Sequence, residues 1–324
     1  MSEIFFSYII PTIGRTSLDI AVRSVLTQEC THADFEVVVV NDSGVPLRKA
    51  DWHTEPRVRI INTNKCERSF ARNTGASIAR GKYLAFLDDD DWILPGALEN
   101  FWDLASKHPE AAWLYGGIRI VDEHSTALAE INSGLSGNCF AQIMGGAWAP
   151  IQASLIQARA FFDIGGFNPF INGTEDEDLC RRTAFHGEFA NTSHVVACLF
   201  RGQTWNTSTN YRRAPEDTRF SRDRILAEQK ALQRFLASID SSFWSGRILR
   251  VYLSTASWNL RRGNYGTTLS RGLYSLAIFG LSVKHIFTQN YWTGFRAHHA
   301  PDTLHFVMSE YERKKGHAIP AVIP

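Results

Sequence analysis

Short apolar runs alternate along the first half of the chain with longer amphipathic stretches. "IFFSYIIP" (4–11) predicts a strand, and "SLDIAVRSVLTQ" (17–28) predicts a helix with Leu18, Val22, Val25 and Leu26 on one face behind a Thr16/Ser17 cap. "FEVVVV" (35–40) predicts a buried strand halted by the turn residues Asn41 to Gly44, and "RVRIINT" (57–63) predicts the next one. "SFARNTGASIAR" (69–80) reads as a helix ended by Gly81, "KYLAFL" (82–87) as a buried strand, and "GALENFWDLASKH" (96–108) as a helix with Pro95 suited to its first turn. Near-continuous Val/Ile/Leu strands separated by helices predict an α/β fold with a mainly parallel, doubly wound sheet.

Beyond residue 150 the pattern predicts a helix near 152–163, a turn at "GGF" (165–167) and a short acidic-headed helix in "EDEDLCRRTAFHG" (175–187). From about residue 216 the chain reads as helical throughout: "RFSRDRILAEQKALQRFLASI", then "SGRILRVYLSTASWNLRRG" and "YGTTLSRGLYSLAIFG", the last two forming a hairpin about "RRGNYG". Two domains are therefore expected, residues 1–214 and a helical region 215–324.

Charge sharpens that division. Residues 1–214 carry 19 Lys+Arg against 25 Asp+Glu, and residues 215–324 carry 15 against 8, so a formal net charge of +1 conceals an acidic part and a basic part. Five widely spaced cysteines form no C-x-x-C pair, which fits neither a zinc site nor a disulfide framework and points to the reducing cytoplasm. "MSEIFFSYIIP" is not signal-peptide-like, and "GLYSLAIFGLSV" is too short to span a bilayer. The basic, aromatic-rich tail (Arg247, Arg250, Arg261, Arg262, Trp292, Arg296) suits peripheral contact with the inner face of a membrane, a homodimer interface or a structural lid. No nucleic-acid partner is expected.

Four consecutive aspartates, Asp88–Asp91, follow a predicted strand, and that density of like charge needs a compensating cation or solvent. Carboxylates in a D-x-D spacing are hard oxygen ligands for Mg²⁺ or Mn²⁺, which would keep positions free for phosphate oxygens. Asp42 also lies just beyond a strand, where ligands of open α/β sheets bind. No Walker A loop and no G-x-G-x-x-G follows the first strand, which disfavours a P-loop NTPase or a dinucleotide dehydrogenase. Considered locally, Asp42 also suits an Asx-turn, Asp91 a helix cap, and the acids of 175–178 a helix N-terminus.

The ordered set "IIPTIGR" (9–15), "SVLTQ" (24–28), "VVNDSG" (39–44), "ARNTGASIARGKYLAFLDDDDW" (71–92), "GGF" and "EDEDL" (175–179) resembles family 2 glycosyltransferases of the GT-A fold across residues 4–205. The resemblance implies an inverting transferase that moves a sugar from a nucleotide-diphosphate sugar to a hydroxyl of a glycan or lipid-linked acceptor. It implies that Pro11, Thr12 and Asp42 cradle the nucleotide, that Asp88 faces the ribose, that Asp90 holds the metal with Asp89 able to share either task, and that Asp176 is the base, with Glu175 its competitor. Arg15 and Arg72 match positions near the donor, and Trp148 suits either an acceptor sugar or the core. Relatives often complete the metal shell with a histidine in a stretch like "YRxH"; here "LFRGQTW" offers Gln203, leaving Gln203, a water or His194 for that place. The other readings are a non-catalytic binder of sugar nucleotides or glycans on the same fold and, more weakly, a nucleotidyltransferase.

Overall fold

The computed structural model describes residues 4–200 and 214–297. The elements, in chain order, are β1 (Ile4–Thr12), α1 (Leu18–Leu26), β2 (Asp34–Asn41), β3 (Val58–Asn62), α2 (Arg68–Ile78), β4 (Tyr83–Phe86), β5 (Trp92–Ile93), α3 (Ala97–Lys107), β6 (Trp113–Val121) and β7 (Ala127–Ile131). They continue with α4 (Phe140–Met144), β8 (Ser154–Gln157), α5 (Ala158–Asp163), α6 (Glu175–His186) and β9 (Phe189–Phe200). The remainder is helical: α7 (Ala214–Leu226), α8 (Ala231–Ser238), α9 (Ser242–Arg261), α10 (Tyr265–Leu281), α11 (Val283–Ile286) and α12 (Gln289–Arg296).

The strands form one sheet in the order β3-β2-β1-β4-β8-β6-β9-β5, with β7 beside β6. β3, β2, β1 and β4 are mutually parallel, β8 runs antiparallel to both β4 and β6, and β9 is parallel to β6. The expected α/β fold of the GT-A type, with a mostly parallel sheet and C-terminal helices, is thus borne out. Two helical expectations change. Residues 152–163 form a 3₁₀ turn (Ile151–Ala153), strand β8 and the short α5, because Leu155 and Ile156 are wholly buried between β4 and β6, where a strand supplies the ladder bonds. The predicted helix over 219–239 is broken into α7 and α8 at residues 227–230.

The chain packs as two compact units, and they do not follow a single cut in sequence. Of the described residues, the first comprises 4–137, 149–171 and 187–200; the second comprises 138–148, 172–186 and 214–297, so α4 and α6 pack with the C-terminal helices. In the second unit α9 and α10 form the expected antiparallel hairpin, and Arg247 on α9 donates to the Gly145 carbonyl from Nε at 2.9 Å.

In the first unit the core strands are wholly buried through Tyr8, Ile9, Ile10 and Val37–Val40. Helix α2 lies close on them at Gly75, where an added Cβ would stand 2.5 Å from Ile9 Cγ2 and 2.8 Å from Val40 Cγ2. Register then aligns the carboxyl ends: Thr12 pairs with Asn41, Asn41 with Asn62, and Ile9 with Phe86, so the loops after β1, β2, β3 and β4 share one edge. The order reverses at β1, with β2 and β3 on one side and β4 on the other, which is where such sheets form a crevice.

Near the amino end of β2, Glu36 is completely buried within its strand and joins four segments. Its carboxylate accepts from Ser7 Oγ (2.8 Å), the Arg80 backbone N–H (2.7 Å), Arg80 Nη2 (2.7 Å) and Arg59 Nη1 (3.3 Å). Burial pushes its pKa up, but the bonds from Arg80 and Ser7 outweigh that and leave it below the usual glutamate value. A folded-state pKa below the unfolded one means stability that is present above the unfolded pKa and disappears as pH falls through the folded value. Glu36→Gln is expected to cost about 2 kcal/mol at neutral pH and to flatten the acid limb of a Tm-versus-pH curve. An unchanged limb would show that Glu36 does not carry it.

Candidate functional site at the carboxyl edge of the sheet

The acidic turn follows β4 directly, and long-range partners sort its four carboxylates. Asp88 accepts from Arg72 Nη2 at 2.6 Å and from Gln152 Nε2 at 3.3 Å. Burial raises its pKa, but the charges of Arg72 and Arg68 pull it down to about 2, so it is ionised at neutral pH. Arg72 is itself only 2% exposed, and its guanidinium stacks 5.2 Å above the Phe167 ring. Arg72 is thus held inside the fold, not on the solvent face of α2.

Asp89 turns inward toward β1. Thr12 Oγ1 donates to it at 2.5 Å and Arg15 Nη1 at 2.7 Å, so its oxygens tie the acidic turn to the loop after the first strand. Asp90 receives a longer bond from the same Arg15 nitrogen, 3.2 Å. Burial, followed by repulsion from Asp88, raises its pKa above the ordinary aspartate value despite Arg15. Asp91 does not cap α3, whose N-cap is Gly96; its Oδ1 accepts the Phe200 backbone N–H at 2.9 Å and so joins the turn to the end of β9.

One carboxylate oxygen from each of Asp88, Asp90 and Asp91 lies within 4.8 Å of the others. Three hard anionic donors at this spacing, one with its pKa raised by burial and by repulsion from Asp88, fit a divalent cation. The family resemblance implied Asp90 as the ligand; Asp91 as a companion had no local signal, since its position depends on the fold. Gln152 was missed for the same reason.

Asp42 sits on the same edge. Its N–H donates to the Thr12 carbonyl at 2.8 Å, and its carboxylate accepts from Thr63 Oγ1 (2.7 Å), the Cys66 N–H (2.8 Å) and the Glu67 N–H (3.2 Å). Two residues of that gripping loop have left-handed backbone, Lys65 at φ 53° and Glu67 at φ 82°. Glu67 also has ψ 154°, a region that only glycine enters freely. Glu67→Gly is expected to raise stability by about 1 kcal/mol, relief of strain exceeding the chain entropy that glycine adds, and a thermal melt measures it. Pro11, by contrast, is part of the β1 ladder, paired with Val40.

Asp176 belongs to the second unit, in the first turn of α6, where its Oδ1 accepts the Glu177 N–H at 2.8 Å. Its acidic neighbours are differently engaged. Glu175 is buried and accepts the Gly173 N–H at 2.9 Å, Glu177 pairs with Arg181, and Asp178 pairs with Arg182 at 2.7 Å. The repulsion expected among these four acids is therefore offset by two arginines one turn along. Trp148 is half-buried in the second unit, beyond α4.

His194 is exposed on β9, six residues before Phe200, and strand rise places it about 20 Å along the strand from the acidic turn. His194 is thereby removed as a candidate to complete a metal shell there. Gln203 lies outside the described residues.

Residues 7–141 match the family model described as Glycosyl transferase family 2. An uncharacterized glycosyltransferase of Haemophilus influenzae is 24% identical over 210 residues, 63% of this chain and 71% of that protein. One of Rickettsia bellii is 34% identical over 150 residues, 43% of this chain, so the chain spans only 20% of that relative's length. Chondroitin synthase of Escherichia coli is 28% identical over 179 residues, 54% of this chain and 25% of its own. Among solved structures, residues 1–349 of TarS from S. aureus in complex with UDP-GlcNAc superpose with a TM-score of 0.60 at 15% identity, covering 98% of this chain and 93% of that one. At that identity the likeness is one of fold.

Proposed function

We propose, from the match of residues 7–141 to glycosyl transferase family 2, that the chain transfers a sugar from a nucleotide-diphosphate sugar to a hydroxyl of a glycan or lipid-linked saccharide, with inversion at the anomeric carbon. The observation that carries this reading is the convergence of Thr12, Arg15, Asp42, Arg72 and Asp88–Asp91 on one edge of the sheet, at its switch point. A uridine nucleotide is the first donor to try, since the similar TarS structure holds UDP-GlcNAc.

Asp42 has three acceptor sites engaged by Thr63, Cys66 and Glu67, and a carboxylate offers about four, so one remains for the nucleotide. Asp88, kept ionised by Arg72, would accept from ribose. Asp88, Asp90 and Asp91 would hold Mg²⁺ or Mn²⁺. When bound, that ion neutralises the charge developing on the departing diphosphate. Arg15, 43% exposed in its side chain and fastened to Asp89, places a further positive charge at the same edge. In the transfer itself, Asp176 takes the acceptor hydroxyl's proton as that oxygen bonds to the anomeric carbon and the bond from that carbon to the diphosphate oxygen breaks.

The test is a thermal-shift panel of UDP-, dTDP-, GDP- and CDP-sugars, each with Mn²⁺, Mg²⁺ or EDTA. A ligand that binds only the folded chain raises Tm. One nucleotide giving a metal-dependent rise is the expected result and identifies the donor class. If every donor at saturating concentration left Tm unchanged, the edge would not be a donor site and the reading would fall.

A further inference from the structure

Helix α10 carries a face that water does not suit. Tyr265, Leu269, Leu273 and Leu276 are each more than half exposed, and beyond the end of α10 at Leu281 two further apolar residues are exposed, Val283 at the start of α11 and Phe287 just after it, the latter 85% exposed. Over its 17 residues the helix has one charged side chain, Arg271, and that one is buried, donating to Asp223 Oδ1 at 2.8 Å. A solvated helix face ordinarily bears charge; this one presents only apolar, hydroxyl and glycine positions.

The surrounding charge indicates what covers it. Residues 241–297, which include α9 to α12, contain seven Lys+Arg and no Asp or Glu. Arg261 is exposed at the amino end of the stripe and Lys284 near its carboxyl end, while the neighbouring Arg262 lies 3.6 Å from Glu216 of α7 and stacks over the Trp258 ring. No helix among the described residues is long and apolar enough to cross a membrane. An apolar stripe bracketed by cations on a helix that does not span is the composition of a helix lying in a lipid interface.

We propose that the α10–α11 face docks on an anionic bilayer, with the Leu/Phe stripe in the acyl boundary and Arg261 and Lys284 among anionic headgroups. A second copy is the weaker occupant, because pairing this face with itself would bring Arg261 and Lys284 of the two copies together with no acid on α10 or α11 to offset them. Residues 298–324 are weaker too, since their three acids and three Lys+Arg leave them without net charge to complement it. The inference does not rest on the transferase reading, because the docking face and the nucleotide edge involve separate residues.

The experiment is co-sedimentation of the full chain with vesicles of phosphatidylcholine alone and with added phosphatidylglycerol, at low and high salt. The expected result is sedimentation with the anionic vesicles that weakens with salt and falls at least about tenfold in Leu273→Glu/Leu276→Glu. Arg261→Gln/Lys284→Gln should reduce the salt-sensitive part alone. Tm and nucleotide-induced shift of both variants should stay at the wild-type values, because the altered residues are exposed. Equal binding to neutral vesicles, or none to anionic ones, overturns the proposal. So does a wild-type dimer that Leu273→Glu/Leu276→Glu dissociates, which would assign the face to a second copy. A several-degree loss of Tm in that variant without vesicle binding would assign it to the chain's own residues and overturn the proposal equally.

Discussion

Asp176→Asn is expected to lower turnover by about 10³-fold while nucleotide-induced stabilisation stays at the wild-type level. Asparagine keeps the shape of the side chain and can still accept the Glu177 N–H that Asp176 accepts at 2.8 Å. What it loses is a basic site for the acceptor's proton. The helix should therefore hold and the chemistry should not. The measurement pairs single-turnover transfer with the donor thermal shift, since only the combination separates a missing base from a damaged unit. Near-normal turnover would pass the assignment to Glu175, although its burial and its bond to the Gly173 N–H make it the less accessible carboxylate.

The second large effect is expected at Asp90. Asp90→Ala should remove the metal-dependent part of donor stabilisation, which for saturation at a hundredfold over Kd amounts to about 2.7 kcal/mol. Without metal the same variant should melt no lower than the wild type, because the side chain removed is one that burial and Asp88 already disfavour in its charged form. Asp88 behaves in the opposite way. Its removal would leave the buried Arg72 without its 2.6 Å partner, so a loss there would mix binding with folding. Asp90 is thus the cleaner probe of the proposed cation, and a variant that kept its full Mn²⁺ response would shift the ligand role to Asp88 and Asp91.

Much of the fold was legible locally. The strands from "IFFSYIIP" to "KYLAFL" announced themselves because buried parallel strands are continuous apolar runs and their ends carry turn residues. Residues 152–163 were misread because a four-residue strand followed by a six-residue helix has no period long enough to separate from one helix. The break between α7 and α8 escaped for a related reason. "AEQK" consists of good helix formers, so packing, not propensity, interrupts the run.

By itself, then, the sequence determined that carboxylates would stand just past strand ends, since that depends only on the chain's neighbours along the chain. Which carboxylate does what was decided by tertiary structure alone. Asp89 is claimed by Thr12 and Arg15, Asp88 by Arg72 and Gln152, and Asp91 by a backbone N–H 109 residues away. Four adjacent aspartates are chemically identical until the fold surrounds each with different donors, and it is those surroundings that move the pKa of Asp88 down and that of Asp90 up.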